Sequence, residues 1–220
     1  MSDIATFVSD LQMLAKFLGI ARAAGLPDNF YQRVIDSPEY RVKLVTAVTK
    51  GFEMVDIRLP VESRDFPTWR TVKLGKHTSV DLFMKALKKA GMKINDWGMD
   101  ILKRTVLATE LVEIELVRVS VADLGFTGAT RRDEIYRRAQ EFGLELCPAE
   151  VGPALREQYL DQPLGEWLLI GMDPIVDSDG CLSVFFVGRS DGDRWLFTSI
   201  GRPDYAWYPG SVWVFSRSKR

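Results

Sequence analysis

Glu150, Arg156, Glu157, Gln158, Tyr159, Asp161, Gln162 and Glu166 form the most crowded polar stretch of the chain. Two carboxylates in unlike environments can divide acid and base work, because burial keeps one protonated while a nearby charge keeps the other ionised. Glu150, Arg156, Asp161 and Glu166 are therefore the candidate catalytic group of a small hydrolase-like enzyme. They also admit a structural reading, with Arg156 as the buried partner of Glu150 or Glu166.

Other catalytic chemistries find little material. His77 is the single histidine, so it would have to be the base of any Ser-His-Asp or Cys-His arrangement. It lies in Gly75-Lys76-His77-Thr78-Ser79, directly before a helical pattern, and reads as an exposed loop histidine. Cys147 and Cys181 have no CxxC spacing, and a zinc site would need carboxylates brought in by the fold. Asp173, Asp177 and Asp179 precede Cys181, Leu182 and Val184, a strand pattern, where a calcium loop would need ligands at fixed alternating positions and a closing glutamate. Hairpin turn chemistry accounts for them without a metal. The P-loop and GxGxxG patterns are absent, and no cofactor is expected.

Binding chemistry has two candidates. Arg202-Pro203-Asp204-Tyr205-Ala206-Trp207-Tyr208-Pro209-Gly210 is a loop by composition, and Arg202, Tyr205, Trp207 and Tyr208 are its candidate ligand contacts. The alternative is a loop folded over the sheet edge with its rings buried. The second candidate is electrostatic. The chain carries a net charge of −1, yet residues 68–104 hold nine Lys or Arg against three acids, a local +6, and residues 108–150 hold nine acids against five arginines. Lys85, Lys88, Lys89 and Lys93 are thus the candidate nucleic-acid contacts, although overall balance argues against a dedicated nucleic-acid binder. A helix-turn-helix is disfavoured, since its second helix would present Asp96 and Asp100 to phosphates.

These residues need elements to hold them. Ile4, Phe7, Leu11, Leu14, Leu18 and Ala21 mark one face of a long helix stopped at Gly25-Leu26-Pro27, and the same stripe offers a homodimer seam. Shorter helical patterns follow to about Lys50, so residues 1–60 read as a helical module. Leu59 to Pro67 is a connection. From there a domain over residues 66–220 begins with a strand, Trp69 to Leu74. A helix from Ser79 to Ala90 follows, capped by Thr78 or Ser79 and ended by Gly91, and Asn95 caps another carrying Trp97, Ile101 and Leu102. This pair reads as a helical hairpin.

Glu110 to Val121 is a strand whose apolar parity switches between Leu116 and Val117, as a bulge or a change of packing surface would produce. The next helix turns Ile135, Tyr136, Ala139 and Phe142 inward, with Asp133–Arg137 and Glu134–Arg138 as i,i+4 pairs. Glu150 to Leu160 suits another helix. Trp167 to Ile175, Cys181 to Gly188, Arg194 to Ile200 and Ser211 to Ser216 are strands separated by Asp-Gly turns, and Trp195 and Trp213 are core positions. The expected class is α+β: a helical N-terminal module followed by a mixed domain ending in an antiparallel β-meander covered by helices.

Leu146-Cys147-Pro148-Ala149-Glu150-Val151-Gly152-Pro153, Asp161-Gln162-Pro163 and Gly165-Glu166-Trp167-Leu168, with the Trp69 to Gly75 strand and the Asp81 to Leu102 hairpin, resemble an uncharacterised family of bacterial proteins over residues 66–220. The resemblance implies a boundary near Phe66 and carries no activity. The longest run free of Asp, Glu, Lys and Arg, Tyr205 to Ser216, is too short to span a bilayer. Asp3, Asp10 and Lys16 interrupt any secretory pattern. The expectation is a cytoplasmic, soluble, non-catalytic binding or interaction protein with a protein or small-molecule ligand. A small hydrolase-like enzyme and non-specific nucleic-acid binding through the hairpin of residues 79–104 are the alternatives.

Overall fold

Residues 65–217 are described in the computed structural model. The expected helical module at residues 1–60 and its dimer seam lie outside the described residues.

β1 (Arg70–Leu74) is followed by α1 (Val80–Lys89), β2 (Lys93–Ile94), α2 (Asp96–Lys103) and β3 (Val112–Ser120). Then come β4 (Thr130–Arg131), α3 (Arg132–Glu141), β5 (Leu144–Glu145), α4 (Val151–Gln158) and β6 (Trp167–Ile170). β7 (Ile175–Val176), β8 (Leu182–Ser190), β9 (Asp193–Ile200), β10 (Ala206–Trp207) and β11 (Val212–Arg217) complete the order. Nine of these strands form one sheet with the path β1-β3-β11-β6-β8-β9-β2, with β5 beside β11 and β7 beside β8, while β10 pairs with β4.

The expected closing meander is overturned by β11. The hairpin β8–β9 forms as the Asp191-Gly192 turn demands, both residues having positive φ (51° and 85°) and Ser190 facing Asp193. The chain then leaves β9. β11 inserts between β3, to which it is antiparallel, and β6, to which it is parallel. Its sequence explains the central place: Trp213, Val214 and Phe215 are consecutive and all buried, so both faces of the strand need cover, which a meander edge would not supply. A second parallel pair, β2 with β9, closes the other edge. The fold is a strand-rich mixed sheet with four helices among the described residues.

Two apolar cores lie along this sheet. One gathers Val72 and Leu74 of β1, Phe83 and Leu87 of α1, Ile101 and Leu102 of α2, Val151, Ala154 and Leu155 of α4, and Leu168, Val187, Leu196 and Val214 of the strands. The other joins Val117 and Val119 of β3 to Ile135, Tyr136 and Ala139 of α3, with Leu169, Trp213 and Phe215. The parity switch in β3 is the passage between them. Leu116 belongs to the first core and Val117 to the second. Pairing runs unbroken from Val112 to Leu116 against β1 and from Leu116 to Ser120 against β11, so the strand changes packing surface without a bulge.

Local expectations fare unevenly. Ser79 caps α1 by accepting the Leu82 N–H at 3.3 Å, and Asn95 caps α2 by accepting from Gly98 at 2.9 Å. The helical hairpin is corrected, because β2 lies between the two helices and carries the chain into the sheet edge. Asp133 does not pair with Arg137: it takes Arg131 at 2.6 Å, while Arg137 and Arg138 both pair with Glu141. The helix starts at Arg132, so Arg131 lies just outside it and its guanidinium reaches the first-turn acid. No helix among the described residues is long and apolar enough to cross a membrane.

Candidate binding surface

The acids between Glu150 and Glu166 are each engaged by different donors. Glu150 is buried and accepts the backbone N–H of Gly75 at 2.8 Å and of Ala108 at 2.6 Å, pinning two loops to the start of α4. Asp161 is 74% exposed and pairs with Arg70 at 2.9 Å. Glu166 accepts Arg118 at 2.6 Å and the Tyr159 hydroxyl at 2.7 Å. Burial and then the Glu166 carboxylate push the Tyr159 phenol up to about 12.

Arg156 meets neither Glu150 nor Glu166. Fully buried, it donates to the Gln162 side chain and to the carbonyls of Gly188 and Tyr159. Burial and the like charge of Arg194 pull it down to about 10, still far above neutrality. This network ties α4, the 159–166 loop and β8 together.

His77 is half-buried rather than an exposed loop residue. It stacks on Phe83 with centroids 4.3 Å apart, and its Nε2 lies 3.1 Å from Glu157. The helical pattern that follows it supplies the phenylalanine, one turn into α1. Cys147 is buried, which raises its thiol well above the usual range, and its Sγ donates to the Val214 carbonyl at 3.6 Å. Asp177 accepts the N–H groups of Asp179 (3.1 Å) and Cys181 (2.9 Å) and the Ser183 hydroxyl (3.0 Å), shaping the turn between β7 and β8.

The 202–208 loop divides its aromatics. Trp207 lies in β10, paired with Thr130, and packs edge-on against buried Trp213 at 5.3 Å. Tyr205 rests on Trp207 at 5.2 Å and is 38% exposed, and Tyr208 is 75% exposed. Arg202 is held by Asp204 through two bonds of 3.0 and 2.7 Å. Lys85, Lys88, Lys89 and Lys93 are exposed and, among the described residues, form no ion pair.

A further aromatic surface lies outside the candidates of the sequence. Trp195 is half-buried on the sheet's outer side rather than core, because its neighbour Leu196 takes the inward position. In the β8–β9 hairpin Gly188 faces Trp195 and Phe186 faces Phe197, and Trp167 of β6 faces Gly188. Alternation therefore puts Trp167, Phe186, Trp195 and Phe197 on one face. The rings touch in series: Trp195–Phe197 stacked at 4.8 Å, Phe197–Phe186 stacked at 5.1 Å, Phe186–Trp167 tilted at 5.5 Å.

Trp167, 43% exposed, lies over Gly188, where a Cβ would fall 2.2 Å from two of its ring carbons. Trp167, Trp195 and Phe197 belong to neither core. α3 covers the same face over β3 and β11, through the core containing Val119 and Trp213. At the outer edge, exposed Lys93 is in register with Trp195. A continuous row of contacting rings, with an ammonium unpaired among the described residues at its end, suits ligands with planar or apolar faces.

No protein-family model matches the chain, and the searches of curated proteins and of solved structures give no match either.

Proposed function

We propose that the chain is a non-catalytic binding protein whose contact surface is the outer face of β6, β8 and β9. The observation that carries this reading is the continuous row Trp195, Phe197, Phe186 and Trp167, on a sheet face where Trp167 retains 43% of its exposure. Rings already stacked on one another lose little conformational freedom when a ligand lies on them, so contact area converts efficiently into affinity. The dispersal of Glu150, Asp161 and Glu166 onto separate donors supports binding over acid–base hydrolysis.

One relationship favours single-stranded nucleic acid as the ligand class. Lys93 stands beside Trp195 in the β2–β9 register, and Lys85, Lys88 and Lys89 on the preceding helix form no ion pairs among the described residues. Base stacking on rings and phosphate attraction to ammonium groups are the two terms that such binding combines. The test is a fluorescence titration with oligothymidylate, with maltoheptaose as the saccharide comparison. Trp195→Ala removes a stacking partner and is expected to weaken oligothymidylate binding about tenfold or more. Unchanged affinity in that variant overturns the assignment of the surface.

A further inference from the structure

On the other side of the same hairpin, three arginines gather with no ion pair among the described residues. Arg189 and Arg194 are cross-strand partners in β8 and β9. They share the inward parity of Val187 and Leu196, opposite to Trp195 and Phe197. Arg156 reaches the same place from α4 through the Gly188 carbonyl at 3.3 Å. Gln162 links two of them, taking Arg156 on its side-chain oxygen and Arg189 on its backbone carbonyl at 2.7 Å.

The polar atoms of this cluster are incompletely used. The Nε groups of Arg156, Arg189 and Arg194 are all buried without a hydrogen-bond partner. Among the described residues none of the three lies in an ion pair, and the Arg194 side chain makes no hydrogen bond. Glu166, an acid whose charge acts on Arg156, gives its two oxygens to Arg118 and Tyr159. Guanidinium groups remain charged near neutrality, so removing three of them partly from water beside one another is costly unless an anion joins them.

We propose that Arg156, Arg189 and Arg194 form a binding site for a phosphate group. Arg189 and Arg194 are half-buried, which leaves a route of entry on their side, whereas Arg156 forms the buried floor. Planar N–H forks fit the oxygens of a phosphate, and the dianion balances three cations more fully than a single carboxylate does. The site is separate from the aromatic face and does not depend on it.

The experiment is calorimetry and thermal unfolding of the full chain with inorganic phosphate, against acetate and chloride at equal ionic strength. Saturable phosphate binding with a rise in Tm is expected, and neither acetate nor chloride should reproduce it. Arg194→Gln removes a charge that holds no ion pair or side-chain hydrogen bond among the described residues and should lose the phosphate-dependent rise, with affinity at least tenfold weaker. Arg194→Glu should raise Tm in phosphate-free buffer, because the new carboxylate takes the anion's place, and should abolish phosphate binding. Lys103→Gln, at an exposed lysine outside the site, should keep the full response. The proposal is overturned by a response equal in chloride or acetate, by full phosphate binding in Arg194→Gln, or by its loss in Lys103→Gln.

Discussion

Leu116 and Val117 are consecutive in β3, and each is fully buried in a different core. Leu116 lies with α1, α2 and α4, Val117 with α3, on opposite faces of one strand. Leu116→Ala is expected to cost about 2–4 kcal/mol and Val117→Ala about 1–3 kcal/mol. Since the cavities open into separate cores, the double variant should cost their sum within about 0.5 kcal/mol, despite adjacency in sequence. Urea unfolding of the four proteins checks this, and strong coupling would contradict the two-core description.

Glu150 holds two loops by accepting from Gly75 and Ala108 inside the protein. In Glu150→Gln one of those N–H groups faces an amide N–H instead of an oxygen. A loss of about 1–3 kcal/mol is expected, measured by chemical denaturation. A variant as stable as the parent would show that the carboxylate does not hold these loops.

Tyr136 donates to the Met172 carbonyl at 3.1 Å and accepts the Met172 N–H at 3.2 Å. Burial pushes its pKa up to about 12, and Tyr159 is raised to about 12 as well. A raised pKa means that the folded state keeps the phenolic proton after the unfolded chain has lost it. Stability is therefore fully present below pH 10 and falls as pH rises from about 10 to about 12. The phenolate absorbance of the folded protein should contain a late component near pH 12. That component should shrink in Tyr136→Phe and again in the double variant with Tyr159→Phe.

Gly188 leaves room for the Trp167 ring, which a Cβ would meet at 2.2 Å. Gly188→Ala should swing that ring off its place, cost about 1–3 kcal/mol and shift the tryptophan emission. An unchanged emission spectrum with parental stability would contradict the packing described for this face.

Local chemistry was legible in the sequence where it depends on near neighbours. Ser79, Asn95 and the Asp191-Gly192 turn act through bonds within a few residues, and each forms as its residue type requires. The β3 parity switch was legible too, since alternation reports burial directly. Strand order was not: the place of β11 between β3 and β6 depends on long-range competition for cover, hinted at only by three consecutive buried residues, Trp213 to Phe215.

The same limit applies to the polar stretch. Spacing along the chain does not say that Glu150 turns to Gly75 and Ala108 while Glu166 turns to Arg118. The aromatic row was within reach. A two-residue turn at Asp191-Gly192 sets Gly188 opposite Trp195 and Phe186 opposite Phe197, so counting back from the turn gives the shared face. Only the arrival of Trp167 from β6 requires the fold.

The central claim, that the outer face of β6, β8 and β9 is the binding surface, is tested most directly by the indole N–H signals of the six tryptophans in a nitrogen-15 correlation spectrum. These are assigned by single Trp→Phe variants and followed during titration with oligothymidylate. Shifts concentrated on Trp167 and Trp195, with buried Trp213 unmoved, are the predicted result. Binding that leaves Trp167 and Trp195 in place, or no binding at low salt, would contradict the account.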